Sequence, residues 1–218
     1  MITRGIGTRE YYEFYYLSRD WKFYRSILSA IIMYSQPGPI LDLGAGTGFI
    51  VEGALRWGLD CEGIEGSIEA IKIAQERYPA IDIAQGTLSE SLPFSDLTFQ
   101  TVVMNQVIEH LEPEVAELSV SEAYRVLVPG GMLYVASPSR FNKREKKTDP
   151  THINLYSPKE LQRLLFSKGF RDIIPIDMPL NVLGNSYLGR GIMYCLFKLT
   201  FWDRLSASAN CIAYKPIA

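Results

Sequence analysis

The 218 residues hold only three cysteines and two histidines, and they lack an excess of either charge and any long apolar run. Each shortage removes a class of function. Cys61, Cys195 and Cys211 are odd in number and far apart. None sits in a CxxC or His-rich neighbourhood, so neither a disulfide framework nor a zinc cluster is expected; buried, reduced thiols in a cytoplasmic protein are. Twenty-two basic residues stand against 24 acidic ones, a net charge of -2, which gives no surface-wide attraction for nucleic acid or anionic membrane. No stretch approaches the ~20 apolar residues of a membrane span. The apolar run Ile27 to Tyr34 lies too deep for a secretory leader, contains Ser29 and has no small-residue cleavage site. The length suits one α/β domain over residues 1–218 rather than two.

What the chain does have is Ile40 to Ile50, ILDLGAGTGFI. Ile40, Leu41 and Leu43 read as a short buried strand, Gly44, Gly46 and Gly48 as a tight turn, and the apolar pattern beyond as a helix. Alternate glycines allow positive φ and close approach of a ligand to the main chain. A dinucleotide fold spaces its glycines GxGxxG and lays a pyrophosphate on the helix N-terminus. Here the spacing is GxGxG with Asp42 in the strand end, and a carboxylate there repels a diphosphate and suits a ligand carrying positive charge. A turn needed only for packing is the competing reading.

With an acid followed by GxGxG, the chain resembles the class I S-adenosylmethionine (SAM) dependent methyltransferases. LPF at 92–94, RVLVPGGMLYVASPS in the middle of the chain and DPTHINLYSPKELQRLLFSKGF after it resemble that family too. The resemblance implies an α/β fold: a doubly wound, Rossmann-like sheet of seven mostly parallel strands, the last antiparallel, with helices on both faces. It implies SAM as cofactor and S-adenosylhomocysteine as product. The turn Gly44, Ala45, Gly46 and Gly48 would then cradle the methionine and ribose, with Asp42 near the amino group. Glu65 ends the second strand some twenty residues past the turn, where nucleoside-binding folds place a ribose carboxylate, and Gly66 opens the following turn; an exposed acid without a role is the alternative. Thr87 stands where the family more often has Asp for the adenine amino group, and Leu88 offers its amide and covers the adenine face. Asn105 and Gln106, at the carboxyl edge of the fourth strand, become cofactor or substrate neighbours.

Catalytic groups are harder to name. QVIEHL resembles the ExxEH metal-binding run of some quinone-ring O-methyltransferases, but Gln106 replaces the first acid. Glu109 and His110, adjacent on a helix, would point about 100° apart, so no metal is expected. His110 remains as a pocket residue or proton acceptor, and His152, in a loop at the active edge, is the first general-base candidate. The basic run RFNKREKK at 140–147 reads either as a solvated loop or as a clamp for an anionic or amphiphilic small-molecule substrate. The aromatic-rich segment within 1–36 suggests core packing or a helical lid over the cofactor. The apolar insert at 179–206 suggests core, substrate roof, dimer face or shallow membrane contact. MNQV lacks the Asn/Asp-Pro-Pro-aromatic signature of nucleic-acid amino methyltransferases, leaving a small-molecule acceptor for a monomer or homodimer, with O-methylation ahead of N- or C-methylation. The alternatives are a non-catalytic SAM or nucleoside binder and, less favoured by the glycine spacing, an NAD-dependent oxidoreductase.

Overall fold

The computed structural model of the chain describes residues 8–15, 21–143, 149–176 and 203–217. Most of the 179–206 insert, Cys195 and the end of the basic run therefore lie outside the described residues, as do parts of the proposed lid. Strand β1 (Ile40–Leu43) is buried along its whole length because β2 (Cys61–Glu65) and β4 (Phe99–Asn105) flank it in parallel, Ile40 pairing with both Cys61 and Thr101. A strand covered on both faces is apolar throughout, apart from Asp42. Strand β3 (Ile83–Gln85) forms the edge beyond β2, and β5 (Leu127–Pro138) continues the sheet beyond β4. The order is β3-β2-β1-β4-β5-β7-β6, with β7 (Ser208–Tyr214) antiparallel to both β5 and β6 (Arg171–Pro175). The chain reverses its direction across the sheet between β1 and β4, and the crevice past the carboxyl ends of those strands is where open α/β sheets bind ligands.

Strand periodicity divides the core. Leu41, Leu43, Val102, Met104 and Leu133 face one side, under α5 (Pro113–Val126) and α6 (Pro158–Ser167) with Val120, Ala123, Leu161 and Leu165. Ile40, Val103, Met132 and Tyr134 face the other, under α2 (Trp21–Tyr34) and α3 (Phe49–Arg56) with Leu28, Ile31, Val51 and Ala54. Helix α4 (Ile68–Arg77) follows β2, with the Ser67 hydroxyl accepting from the Ala70 amide at its start. On α4 sits α1 (Arg9–Tyr15), through Tyr11 and Tyr12 against Ala70 and Ile73 and through the Arg9 fork on Glu76 at 2.7 and 3.2 Å. Ser157, Pro158 and Glu160 build a capping box on α6.

Local differences from the sequence expectation have local causes. Strand β3 is only three residues long, because pairing with β2 begins at Gly63 opposite Ile83. QVIEHL is not an α-helix: Gln106 takes φ +58° and only Ile108–His110 coil, as one 3₁₀ turn. Cys61 and Cys211 are buried. No helix among the described residues is long and apolar enough to cross a membrane.

Candidate active site

The glycine turn is built by backbone that side chains would disrupt. Gly44, Gly46 and Gly48 take φ +75°, +53° and +79°, a region costly for other residues. A Cβ on Gly44 would stand 2.6 Å from Val107 Cγ2, and one on Gly48 2.3 Å from Ile81 Cδ1. The amides of Gly44 and Ala45 both donate to the Ile64 carbonyl, at 2.9 and 3.0 Å, tying the turn to β2.

Glu65 completes that tie. Its Oε2 accepts from the Gly46 amide at 2.9 Å and its Oε1 from the Ser67 amide at 2.8 Å, and the Tyr12 side chain hydrogen-bonds the same carboxylate. Burial pushes the Glu65 carboxyl above its usual range, and the amides of Ser67, Gly46 and Gly66 pull it back. An acid at a β2 terminus is thus held as a rigid acceptor facing the turn.

Turn and acid open onto a cavity of about 240 Å³. Gly44, Gly46, Glu65 and Gly66 form one wall, Thr87 and Leu88 another, Gln106 and His110 a third, and Tyr11 and Tyr12 of α1 also line it. Beside it a recess of about 20 Å³ is lined by Asp42, Ala45, Thr47, Asn105 and Tyr24, with Gly44 common to both. Asp42 is buried, and that burial, reinforced by the nearby charge of Glu65, pushes its carboxyl up to about 8. A positive group entering here would restore the carboxylate.

Of the residues picked out by sequence, the structure brings Gly44, Gly46, Glu65, Gly66, Thr87, Leu88, Gln106 and His110 to the larger cavity and Asp42, Ala45 and Asn105 to the smaller. Gly48 is placed by packing instead: the space over its α-carbon is filled by Ile81, Ile83 and Ala74. His152 is 8% exposed and packs behind His110, ring centroids 4.8 Å apart. Sequence reasoning misses Tyr12 as a Glu65 partner, although the crowd of tyrosines in residues 11–16 is a signal for it. It also misses Gly86, whose absent side chain admits Ile64.

The two histidines meet on one loop. His110 Nδ1 lies 3.2 Å from the Thr151 carbonyl oxygen and 3.1 Å from its Oγ1. The Thr151 hydroxyl donates to Asp149 Oδ1, and the Thr151 amide donates to the same oxygen at 3.0 Å. Asp149 Oδ2 stands 3.7 Å from His152 Nε2. Burial, and then the proximity of His152, hold His110 below the usual imidazole range, so its neutral form is favoured. Space also supplies what residue spacing does not show: Glu109, His110 and His152 each place a potential donor within 4.8 Å of the others. Donors on one ion at about 2.0–2.2 Å stand at most ~4.4 Å apart, so this set would have to close by a few tenths of an ångström to hold one. In the basic run, Arg140 is ion-paired to Glu160.

A family model described as "Methyltransferase domain" matches residues 41–135. A probable S-adenosylmethionine-dependent methyltransferase of Mycolicibacterium smegmatis is 34% identical over 134 residues, 60% of this chain and 51% of that protein. The chain spans about half the length of such curated relatives. An uncharacterized protein of Methanocaldococcus jannaschii is 31% identical over 159 residues, 69% of this chain and 73% of its own length. Among solved structures, a SAM-dependent methyltransferase from Archaeoglobus fulgidus superposes with a TM-score of 0.72 at 22% identity, covering 94% of this chain and 98% of that one.

Proposed function

Because the chain belongs to the class I S-adenosylmethionine-dependent methyltransferases, we propose that it transfers a methyl group to a hydroxyl of a small-molecule acceptor. The carrying observation is one cavity bounded by the glycine turn, by Glu65 fixed on the Gly46 amide, and by His110. The residues fit the cofactor: Gly44 and Gly46 line the cavity with bare backbone, and two acids, the buried Asp42 and the half-buried Glu65, flank the turn. When bound, SAM supplies a methyl already activated on a sulfonium.

The protein's own part is binding, alignment, dryness and one proton. Glu65 accepts from the ribose hydroxyls. Asp42 faces the positively charged end across the Gly44 boundary. Tyr11 and Tyr12 cover the cavity and keep water out, the lid role expected of the N-terminal segment. Holding reactants in line is worth roughly 7–11 kcal/mol, and a positioned base contributes about 10²–10⁴-fold. His110, in the cavity wall and held neutral by burial, takes the acceptor's proton; His152, behind it, supports that ring and is not the base. No metal enters this reading, and the protein acts as one domain, as a monomer or homodimer.

Calorimetric titration with SAM, S-adenosylhomocysteine and NAD tests the cofactor: binding of the first two and not the third is expected. Labelled methyl from SAM, offered with fractionated small-molecule extracts, tests transfer. His110→Ala should lower turnover at least ~100-fold with SAM affinity intact. SAM binding without transfer to any fraction would instead mark a non-catalytic binding module.

A further inference from the structure

We propose that Thr151 and Asp149 are positioning residues that lock His110 in the tautomer with hydrogen on Nδ1, leaving Nε2 bare to receive the acceptor's proton. The inference rests on the methyl-transfer reading above and adds the atom at which the proton lands.

Counting hydrogens assigns the tautomer. Two oxygens flank His110 Nδ1, the Thr151 carbonyl at 3.2 Å and the Thr151 Oγ1 at 3.1 Å. A carbonyl only accepts. A hydroxyl has one hydrogen to give, and that of Thr151 is directed to Asp149 Oδ1, so toward the ring Oγ1 presents lone pairs. An Nδ1 without hydrogen would face two acceptors with nothing between them. The hydrogen therefore sits on Nδ1, and a neutral imidazole carries only one.

The surroundings keep the ring neutral and the loop in place. Among the described residues, the titratable groups facing His110 are His152 and Asp149, with Glu109 adjacent on its own turn. Burial and His152 oppose a cation at rest, while Asp149 and the Thr151 carbonyl favour one. The loop cannot drift from the ring, because the amides of Ile153 and Asn154 both donate to the Glu109 carbonyl, at 2.9 and 3.0 Å. In the reaction the acceptor's O–H bond would break, its electron pair staying on oxygen for the new O–C bond; the methyl's bond to sulfur would break with its pair kept by sulfur, and the proton would form an N–H bond at Nε2. The positive charge lost by the sulfonium ends on a ring whose opposite N–H leads through Thr151 to the Asp149 carboxylate.

With two histidines in the chain, nitrogen-15 histidine labelling and long-range proton–nitrogen correlation read each ring directly, assigned through a His152→Gln variant. At pH 7 His110 is expected as the Nδ1–H tautomer. Thr151→Ser should preserve it. Thr151→Val and Asp149→Asn leave the Thr151 carbonyl at Nδ1, so each should raise the minor Nε2–H population without inverting the ratio, and the second serves if the first fails to fold. A wild-type ring carrying hydrogen on Nε2, a doubly protonated ring, or a tautomer unmoved in both variants would overturn the proposal. So would shifts on adding zinc or manganese to chelator-treated protein, which would make the rings metal ligands. Calorimetry with SAM on the same samples separates the two readings: lost SAM binding with the tautomer intact rejects the methyltransferase reading, and SAM binding with the wrong tautomer rejects this one alone.

Discussion

The backbone amide of Gly46 and the Oε2 of Glu65, nineteen residues apart, are joined by a 2.9 Å hydrogen bond. Through it, the conformation of the glycine turn and the position of the carboxylate proposed to accept the ribose hydroxyls are one geometric fact. Hydrogen bonds to charged groups contribute about 1.5–3 kcal/mol, so Glu65→Gln should weaken SAM roughly 10–100-fold, with a smaller loss of thermal stability from the Gly46 and Ser67 amides. Titration calorimetry on a variant confirmed folded by circular dichroism checks this. An unchanged Kd would strip Glu65 of the ribose role.

Asp42 makes the site pH-sensitive in a direction opposite to that of an ion-paired acid. Its carboxyl ionises near ~3.9 in an unfolded chain and near 8 when folded, through burial and then the charge of Glu65. The folded state therefore holds a proton that the unfolded state has released. The stability this confers is complete below the unfolded pKa and is lost as pH rises through about 8. Asp42→Asn should flatten that decline in a thermal-melt series. Because a cationic ligand favours the carboxylate, SAM binding at pH 7 should release up to about one proton, read as a dependence of apparent enthalpy on buffer ionisation heat. A buffer-independent enthalpy in the wild type would show that Asp42 does not respond to the ligand.

These two acids are legible in the sequence because their meaning is local. Asp42 precedes the glycines by two residues and Glu65 closes the next strand, so strand–turn–helix spacing locates both. The His110–Thr151 pair is not, since 41 residues separate the partners and a loop has no periodicity to betray what it touches. Gly48 reads as a cofactor residue for a different reason: one residue type serves both ligand approach and tight packing, and only the nearness of Ile81 tells which. The 3₁₀ turn at Ile108–His110 reads as helix because Val107, Ile108 and Leu111 have helical spacing, while the positive φ of Gln106 leaves no mark in the sequence. The sheet itself is readable in full outline, its strand ends less so, because pairing partners set them.

The glycines of the first α/β unit should separate backbone strain from crowding. Gly58 takes φ +73°, and a methyl group placed on its α-carbon would meet nothing within 4 Å, so Gly58→Ala carries strain alone, about 1–2 kcal/mol. Gly48→Ala adds a collision with Ile81 at 2.3 Å, for roughly 2–5 kcal/mol in total. Gly44→Ala displaces Val107, which lines the cavity, and should lower both stability and SAM affinity. Thermal melts and calorimetry on the three variants check the order. Equal melting temperatures for Gly58→Ala and Gly48→Ala would remove the packing role given to Gly48.

Arg125 fastens the segment after β3 to α5. It donates to the carbonyls of Leu92 at 3.1 Å and Phe94 at 2.8 Å, to Asp96 at 2.7 Å, and to both oxygens of Glu122, which in turn accepts from the Leu92 amide at 2.8 Å. The same stretch carries Thr87 and Leu88 into the cavity wall, and the Ser119 hydroxyl of α5 contacts the Leu88 carbonyl at 3.2 Å. A lysine keeps the charge but loses the planar fork that serves four partners at once. Arg125→Lys should therefore cost about 1–3 kcal/mol and speed amide exchange across residues 92–98, while α3 and β1 exchange as before. Hydrogen exchange resolved by mass spectrometry reads both regions in one experiment. Protection of residues 92–98 equal to wild type would mean that the aromatic pair Phe94 and Phe99, whose ring centroids are 5.1 Å apart, holds the segment without the arginine.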